Sequence, residues 1–372
     1  MTTGEAQAPV LLDPPKVTEV LRAIMAAVGC TDEEADAVAT HLVDASLTGH
    51  DSHGVTRIVR YHHWIGEGVI NPGTALKRLI DTPSFVQLDG CHGVGQWLAN
   101  QATAMGIARA KAHGVALVAM RGAGHIGRLG AYGEAAAREG IVSIQFANVA
   151  GSNLVAPFGA AERRISTAPV AIAVPNSDGE DFILDFATSY VAEGKALVAA
   201  KGGRPLPMGA LVDAEGCLSD DPVALYGASI ATDLPNPREG EGALRTMGEH
   251  KGSGLALACE LLAGALTGNG TNAEKRPFGN GWFAVLCDPA RLDDGGLGNE
   301  VGRYIDWVTS ARAGDGVDKV RIPGDVERES RAHRRRHGLP LSPSVLDAIL
   351  AIAANHEIPT SREALAMDPG AG

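Results

Sequence analysis

Three side chains that could bind and protonate a small substrate recur every four residues near the N-terminus. They are His53, Arg57 and Tyr61, with Ser52 beside the histidine. Asp51 or Ser52 could cap a helix here, and residues four apart on a helix share a face. The imidazole carries a proton near neutral pH, and the guanidinium can hold a carboxylate through two hydrogen bonds. The grouping suits a 2-oxo or 2-hydroxy acid, although a solvated polar helix face would have the same spacing.

A second histidine, His125, stands in a glycine-rich stretch at residues 122–127, which follows an apolar run at residues 115–120. One interpretation is a dinucleotide-binding loop, because G-x-G-x-x-G between a strand and a helix lets N–H groups approach a pyrophosphate. Two details argue against this interpretation. The second strand ends at Asn148 without the Asp or Glu that would bind the ribose hydroxyls, and the side chain of His125 hinders the approach of a phosphate to the loop. The other interpretation directs His125 into a site at the end of a strand. Alternatively, His125 has only a structural role and caps the following helix or packs within the loop.

Lys251 and Gly252 form a third candidate, at the start of an apolar run at residues 253–266. A lysine beside unhindered N–H groups at a helix N-terminus attracts anions and suits a diphosphate. The alternative is an exposed lysine on a glycine-rich helix start. No group of His, Cys and carboxylate residues has metal-ligand spacing, so we predict no metal site.

Composition excludes several classes of function. The formal net charge is −12, from 44 acidic and 32 basic residues, which disfavours nucleic acid as a partner. The basic run at residues 328–337 is typical of a solvated helix face. The five cysteines are scattered without a C-x-x-C pair, a pattern of reduced thiols in the cytoplasm. The first residues lack the pattern of a secretory signal, and residues 253–266 are too short to span a bilayer, so we predict a cytoplasmic protein without a membrane partner.

Helices and strands that would position these residues follow from hydrophobic spacing. Helical spacing predicts a first helix ending at Gly29 and a second starting at a capping box at Thr31 and Glu34. The apolar runs predict strands at residues 84–89, 115–120, 141–147 and 282–287 and helices at residues 95–113, 302–311 and 343–355. Turn signals predict hairpins at residues 170–186 and 209–218, and a tight hairpin is inconsistent with a purely parallel sheet. We expect the N-terminal and C-terminal helical parts to pack together.

Laid end to end, these motifs resemble the malate/L-lactate dehydrogenase family of the second type. This family also contains sulfolactate and ureidoglycolate dehydrogenases, diketogulonate reductases and cyclic-imine reductases. The resemblance extends from about residue 15 to about residue 360. It is carried by Ser52-His53-Gly54 with Arg57 and Tyr61, Gly68-x-Ile70-Asn71-Pro72, Gly124-His125-Ile126-Gly127, Asp185-Phe186-Ala187-Thr188-Ser189, Gly194-Lys195, Leu206-Pro207-x-Gly209, Lys251-Gly252-x-Gly254-Leu255 and Pro323-Gly324-Asp325.

The resemblance implies an oxidoreductase that uses NAD or NADP and works as a homodimer. It implies an α/β (α+β) fold with a mixed, largely antiparallel central sheet flanked by helices, and a nicotinamide site that is not a Rossmann fold. Three parts are expected: a helical part at residues 1–80, a cofactor-binding sheet domain at residues 81–320 and a helical C-terminal part at residues 321–372.

The resemblance also implies roles for individual residues. His53 would be the proton donor or acceptor with Ser52 in a relay, and His125 would lie at the nicotinamide, either polarising the substrate oxygen or acting as the base. The expected substrate-binding residues are Arg57, Tyr61, Thr167, Glu193 and Lys195. The expected cofactor-binding residues are His125, Ile126, Gly127, Asp185, Phe186, Ala187, Lys251, Gly252, Arg321, Pro323, Gly324 and Asp325.

The expected reaction is hydride transfer between NAD(P) and C2 of a small 2-hydroxy or 2-oxo acid. A ureidoglycolate or sulfolactate dehydrogenase is the alternative within this class, and a non-catalytic nucleotide-binding protein is the alternative outside it. Cyclic-imine reductases of the family carry His-Gly-Asp where this chain has Glu193-Gly194-Lys195, which argues against imine reduction. The loop at residues 228–249 is longer than is usual in the family, so the resemblance specifies neither the rim of the pocket nor the choice of substrate.

Overall fold

The chain opens with helices that pack on its C-terminal end. The structure is a computed structural model, and it describes residues 8–200, 204–231, 235–292 and 296–368. The first elements are β1 (Val10–Leu12), α1 (Pro14–Ala27), α2 (Asp32–Leu47), a 3₁₀ turn (Asp51–His53) and α3 (Arg57–Gly66). Both halves of the capping box at Thr31 and Glu34 are present, as the sequence predicted.

A seven-stranded sheet follows, interleaved with helices. The next elements are β2 (Lys77–Asp81), β3 (Phe85–Asp89), α4 (Gly95–His113), β4 (Val115–Ala123), α5 (Gly130–Arg138), β5 (Val142–Ala150), β6 (Pro169–Val174), β7 (Phe182–Ala187) and α6 (Glu193–Ala200). After them come β8 (Leu211–Val212), β9 (Leu218–Ser219), α7 (Val223–Tyr226), β10 (Ala243–Leu244), α8 (His250–Cys259), a π-helical segment (Glu260–Leu266) and β11 (Gly279–Cys287).

The C-terminal elements are α9 (Leu297–Thr309), α10 (Asp325–His337), β12 (Leu339–Leu341), α11 (Pro343–Asn355) and α12 (Arg362–Leu365). Strand β1 pairs with β12, and one apolar cluster joins α1 and α2 to α11, with Leu21, Leu42 and Leu346 fully buried in it. The two ends of the chain therefore share a core, as expected. The boundaries between parts of the chain stay a prediction.

The order of the large sheet decides between the two interpretations of residues 122–127. Its strands run β2-β3-β4-β11-β5-β6-β7, and among these described strands the β3–β4 pair alone is parallel. Strand β11 lies between β4 and β5 and is antiparallel to both, so β4, α5 and β5 do not form the adjacent parallel pair of a Rossmann unit. The mixed, largely antiparallel sheet is confirmed.

The hairpins predicted at residues 170–186 and 209–218 are present as the antiparallel pairs β6–β7 and β8–β9. The apolar run at residues 253–266 differs from its prediction, because it is α-helical only to Cys259 and π-helical from Glu260 to Leu266. The two sides of the sheet are covered by helices, with Leu98 of α4 and Tyr132 of α5 in its main core.

Helix α10, which contains most of the basic run, is not simply a solvated face. Three arginines spaced three residues apart, Arg328, Arg331 and Arg334, point back into the molecule and pair with acids. Arg331 contacts Asp44 of α2 and Glu134 of α5, at 3.0 and 2.9 Å. The prediction of a solvated helix face is therefore wrong for the side of α10 that carries these arginines, because acidic residues of distant elements pair with them.

Candidate active site

The segment that carries His53 is a 3₁₀ turn and not the start of a helix. Gly54 is extended (φ −92°, ψ −154°) after that turn, and helix α3 begins only at Arg57. A Cβ atom on Gly54 would lie 2.0 Å from Oγ of Ser46, and the same hydroxyl accepts the N–H of Val55 at 3.0 Å. The prediction that His53, Arg57 and Tyr61 share one helix face is therefore wrong, because packing on α2 breaks the helix between them.

Tertiary packing nevertheless brings His53 and Tyr61 to the same group, His125. The rings of His53 and His125 are stacked, with centroids 5.5 Å apart and an interplanar angle of 17°. The hydroxyl of Tyr61 lies 2.7 Å from Nδ1 of His125 and also 2.7 Å from Nε2 of Gln96, which donates to it. On the other side of His53, Nδ1 lies 3.1 Å from Oγ of Ser52.

The glycines around His125 have a packing role. A Cβ atom on Gly127 would lie 2.2 Å from Nε2 of His41, and one on Gly124 would lie 2.6 Å from the carbonyl oxygen of Gly93. The side chain of Ile126 is buried in the core of the sheet. Gly127 and Ile126 therefore hold the loop in place, and His125 remains as the partly exposed side chain that it offers to a ligand.

An aromatic wall stands beside His125. The rings of Trp64 and Phe278 lie 4.4 Å apart, and each has its centroid within 6.5 Å of that of the histidine. Arg60, one turn before Trp64 on α3, places its guanidinium carbon 5.8 Å from the centre of the indole. These apolar surfaces exclude water from one side of the imidazole and suit the flat ring of a bound molecule.

Both histidines are kept neutral at physiological pH. Burial lowers the pKa of His53 well below its usual value of 6.5, and the nearby Arg57 cation lowers it further. The pKa of His125 is lowered for the same two reasons, burial first and Arg57 second. The site therefore offers two uncharged imidazoles next to one permanent positive charge.

Two of the expected substrate residues, Arg57 and Glu193, lie near the turn. The guanidinium of Arg57 donates from Nε to the carbonyl of Ser52, and a Cβ atom on Gly194 would lie 2.6 Å from that of Ser52. Glu193 therefore stands close by, where its Oε1 accepts from the hydroxyl of Tyr226 at 2.9 Å. Lys195 is exposed.

Thr167 is half-buried between two anchored neighbours. Its carbonyl accepts the N–H of Thr188 at 3.2 Å, and the hydroxyl of Ser166 donates to Glu260 at 2.9 Å. Ala168 has a positive φ of 22°, so the chain turns sharply just before β6.

The expected cofactor residues outside the His125 loop fall into two groups. The first is the start of α8, where Lys251 is exposed and Gly252 is packed so tightly that a Cβ atom would lie 2.0 Å from the carbonyl oxygen of Met247. By contrast, Cβ atoms on Gly248 and Gly254 would meet nothing within 4 Å. Glu249 between them has a φ of 60°, a strained conformation that is common at functional sites. The N–H groups of Lys251, Gly252 and Ser253 donate to the carbonyls of Gly248, Met247 and Glu249. What fits a diphosphate here is the open space at Gly248 and Gly254 beside the Lys251 cation and the positive end of the helix dipole.

The second group surrounds β7, the last strand of the sheet as described. Asp185 accepts the N–H of Gly130 at 2.7 Å, and burial raises its pKa. Pro323 accepts the N–H of Ile183, so the segment with Gly324 and Asp325 lies against the same strand. The remaining β7 residues, Phe186 and Ala187, face Val170 and Pro169 of β6 in the ladder.

A cavity of about 740 Å³ adjoins this second group, between the β6–β7 hairpin and α9. Acidic side chains dominate its lining: Asp178, Glu180, Asp306 and Asp325, with Arg303. The adjacent Arg321 is not free to bind an anion, because Asp318 and Glu329 both pair with its guanidinium. Among the described residues, no group of three or more His, Cys, Asp or Glu could hold a metal ion.

Sequence reasoning missed Gln96, Trp64, Phe278 and Tyr226. Trp64 could have been found, because it lies three residues after Tyr61 on the same helix. The other three are distant in sequence, and no local pattern connects Gln96 or Phe278 to His125. They enter the site through the packing of α4, of the residue that precedes β11 and of α7.

The chain was compared with known proteins. Residues 12–350 match the family described as malate/L-lactate dehydrogenase. This chain belongs to the malate/L-lactate dehydrogenase family. The suspected family is thus confirmed, together with the enzyme class, an oxidoreductase acting on CH–OH groups. Enzymes of this family generally use a nicotinamide cofactor.

Curated relatives within the malate/L-lactate dehydrogenase family match nearly the whole chain. L-lactate dehydrogenase of Cupriavidus necator is 34% identical over 92% of this chain and 97% of its own length. Hydroxycarboxylate dehydrogenase B of Escherichia coli K12 is 33% identical over 91% of this chain and 92% of its own. The solved structure of sulfolactate dehydrogenase from Methanocaldococcus jannaschii superimposes with a TM-score of 0.82 at 28% identity, covering 95% of this chain and 99% of that one.

Proposed function

We propose that this enzyme transfers a hydride reversibly between a nicotinamide cofactor and C2 of a small 2-hydroxy or 2-oxo acid. The observation that supports this most directly is the pair of stacked, neutral imidazoles of His53 and His125 beside the cation of Arg57. A 2-oxo acid needs a carboxylate partner, a hydrogen-bond donor for the oxo group and a proton source. These three groups can supply them.

The two histidines have different roles in this proposal. Because Gln96 donates to the hydroxyl oxygen of Tyr61, the hydroxyl proton is directed at Nδ1 of His125. His125 is then the tautomer with its proton on Nε2, a donor that can polarise the substrate oxygen. Neutral His53 takes the hydroxyl proton during oxidation; during reduction it first takes up a proton from solvent and then gives it to the C2 oxygen, with Ser52 orienting its ring.

Arg57 binds the substrate carboxylate. Its Nε donates a hydrogen bond to the carbonyl of Ser52. This bond fixes the side chain and leaves the terminal N–H groups of the guanidinium for a bidentate contact with the carboxylate. Its positive charge also holds both histidines in the neutral form, as oxidation by a general base requires.

The nicotinamide cofactor supplies the hydride acceptor or donor when it is bound. The residues that would hold it are the start of α8 at Lys251 and Gly252 for the diphosphate, and the strip of Asp185 with residues 321–325 for the adenosine part. The open space at Gly248 and Gly254 and the cavity beside Asp325 support this assignment.

NAD is the proposed cofactor rather than NADP. A 2′-phosphate needs a free cation, but Arg321 is paired with two acids, and Arg303 pairs with Glu300. The acidic lining of the adjacent cavity would repel a second phosphate. Equal kcat/KM with the two cofactors would contradict this choice.

An acid with a second anionic group, such as a sulfonated or dicarboxylic substrate, is the second candidate. It is favoured by Arg60 and by Arg238, which lies in the loop at residues 228–249. Arg238 donates to the hydroxyl of Ser152 at 3.2 Å. Burial lowers the pKa of Arg60, the charges of Arg57 and Arg238 lower it further, and the carboxylate of Glu193 raises it. Arg60 and Arg238 thus add positive charge near Arg57, beyond the one cation that stands beside the histidines, with Glu193 as the neighbouring anion.

A homodimer in the cytoplasm completes the proposal. Leu257, Leu261 and Leu266 on α8 and the π-helical segment are between 47% and 60% exposed, which is typical of an interface. All five cysteines are unpaired, as expected in a reducing compartment. No helix in the described residues is long and apolar enough to cross a membrane. Sedimentation of the wild type and of Leu261→Glu tests the dimer, since a charge at this position should produce monomers.

The decisive experiment follows NADH absorbance with a panel of 2-oxo acids: pyruvate, oxaloacetate, sulfopyruvate and a cyclic imine carboxylate, each repeated with NADPH. Turnover of at least one oxo acid supports the proposal. NADH binding without oxidation across the whole panel would favour a non-catalytic nucleotide-binding protein instead.

A further inference from the structure

Glu260 is a buried carboxylate that the proposed reaction does not use. The residue is 5% exposed, and it is the first residue of the π-helical segment. Its Oε1 accepts from the hydroxyl of Ser166 at 2.9 Å and from Nδ2 of Asn272 at 3.0 Å, and its Oε2 accepts from Nδ2 of Asn148 at 3.3 Å. Among the described residues, no Lys, Arg or His forms an ion pair with it. A carboxylate kept in the core by neutral donors alone requires an explanation.

One branch of its hydrogen bonds leads to Ser166, the residue before Thr167. Ser166 binds Glu260 through its hydroxyl, and its N–H lies 3.4 Å from the same Oε1. The next residue is Thr167, the expected substrate residue, followed by Ala168 with its positive φ. Glu260 therefore fixes the turn that presents Thr167.

The other branch leads to the loop of His125. Oδ1 of Asn148 accepts from Nδ2 of Asn269 at 3.0 Å, and Oδ1 of Asn269 accepts the N–H of Gly122 at 2.8 Å. Asn280 donates to the carbonyl of Asn148 at 2.9 Å and accepts the N–H of Ile126 at 2.9 Å. Two amides thus hold the loop, one on each side of His125.

We propose that Glu260 is a positioning residue that sets the His125 loop and the Thr167 turn in one geometry, acting through Asn148 and Ser166. The proposal rests on the proposed hydride-transfer function and adds to it the buried network that fixes the reacting groups. The π-helical segment, a feature often found at functional sites, starts at this residue.

The direction of the hydrogen bonds makes the network sensitive to a single atom. If Oε2 of Glu260 becomes an NH₂ group, it faces the NH₂ group of Asn148. Asn148 can restore the contact only by rotating its side-chain amide by 180°. Its NH₂ group then takes the place of Oδ1, which now accepts from Nδ2 of Asn269 and from the N–H of Gly281, so donors face donors. The disturbance therefore propagates to the loop of His125, while Ser166 keeps its acceptor.

The first experiment compares Glu260→Gln with Ser166→Ala. We expect Glu260→Gln to lower kcat about tenfold or more with little change in KM for the oxo acid, since small displacements of reacting groups are costly. Ser166→Ala should mainly raise KM, because it loosens the turn of Thr167. Val86→Ala, a buried change in β3, serves as a control that lowers the melting temperature without changing either constant. Wild-type kcat in Glu260→Gln would overturn the proposal.

The second experiment separates positioning from stability at Asn280. Asn280→Asp keeps an acceptor for the N–H of Ile126 and, when protonated, a donor for the carbonyl of Asn148. Asn280→Leu has a similar size and neither group. We expect the Asp variant to be the more active of the two even where its melting temperature is lower. If activity instead follows melting temperature in this pair, the role is merely structural and the proposal is wrong.

These outcomes are distinguishable from failure of the proposed function. If the wild type reduces no acid of the panel, the function is wrong, and the variants have no activity to compare. If the wild type is active and the Glu260 and Asn280 variants keep its kcat, then only the positioning role fails.

Discussion

The hydroxyl of Tyr61 and Nδ1 of His125 lie 2.7 Å apart, with Gln96 donating to the same hydroxyl. The oxygen already accepts one hydrogen bond, and in the proposed arrangement its proton is directed at the imidazole, so that the phenol sets the tautomer of a residue 64 positions away. Burial raises the pKa of Tyr61 and keeps it protonated for this task.

Tyr61→Phe should therefore impair turnover more than substrate binding. Without the hydroxyl, the proton of His125 can move to Nδ1, and its Nε2 loses the donor that polarises the substrate oxygen. We expect kcat to fall about tenfold, less than the 10²–10⁴ typical of losing an acid–base group altogether. Tyr304→Phe on the exposed face of α9 is the matched control and should leave kcat unchanged.

His53→Ala should have the larger effect, because it removes the proposed proton carrier. We expect kcat to fall by about 10²–10⁴ in steady-state assays with the best oxo acid. The control is His113→Ala at the exposed end of α4. If kcat of His53→Ala falls by less than about tenfold, His53 is not the acid–base group and another residue has this role.

Arg57→Gln should change both binding and pH dependence. Loss of a charge-assisted contact should raise KM for the acid about 10- to 100-fold, with a fall in kcat. Arg57 also lowers the pKa of both histidines, so its removal raises these values towards 6.5. The acidic limb of kcat/KM for oxidation, which lies below pH 6.5 in the wild type, should then move to higher pH. Arg138→Gln on α5 is the control. If Arg57→Gln has the KM and the pH profile of the wild type, Arg57 does not belong to the site.

Glu134→Gln should destabilise the fold rather than the chemistry. Glu134 pairs with Arg128, whose side chain is 1% exposed, at 2.7 Å and with Arg331 at 2.9 Å. Asp44 still pairs with Arg128 and Arg331 in this variant, so the expected loss is that of hydrogen bonds to charged groups, about 1.5–3 kcal/mol of unfolding free energy measured by urea denaturation. Glu300→Gln, in an exposed pair on α9, should change it by less than about 0.5 kcal/mol. Similar losses in both variants would contradict this assignment.

Acid should weaken the fold through His41. Burial, followed by the charge of Arg128, lowers the pKa of His41 to about 3. In the unfolded chain the group takes up a proton below pH 6.5, whereas in the folded protein it stays neutral, so stability falls as the pH drops from 6.5 towards 3. The slope is at most about 1.4 kcal/mol per pH unit for this group. His41→Gln, which keeps an acceptor for the N–H of Arg128, should show a smaller decrease between pH 6.5 and 5; an equal slope would exclude His41.

Much of the fold could be predicted from the sequence, because local spacing determines it. The capping box at Thr31 and Glu34, the hairpin turn at residues 176–179 and the helix Pro343–Asn355 are all as predicted. The choice of His53, Arg57 and His125 as candidates also came from residue types and motif order alone.

Tertiary structure decided what these residues do together. Gly54 ends the turn of His53 because Ser46 of another helix occupies the space of a Cβ atom, which no local pattern records. Strand β11 separates β4 from β5, so the glycines at residues 122–127 pack against His41 and Gly93 and do not form a pyrophosphate loop. Spacing along a chain fixes which faces are apolar, but distances between residues far apart in sequence, such as Gln96, Phe278 and Glu260 around the loop of His125, are set only when the elements pack.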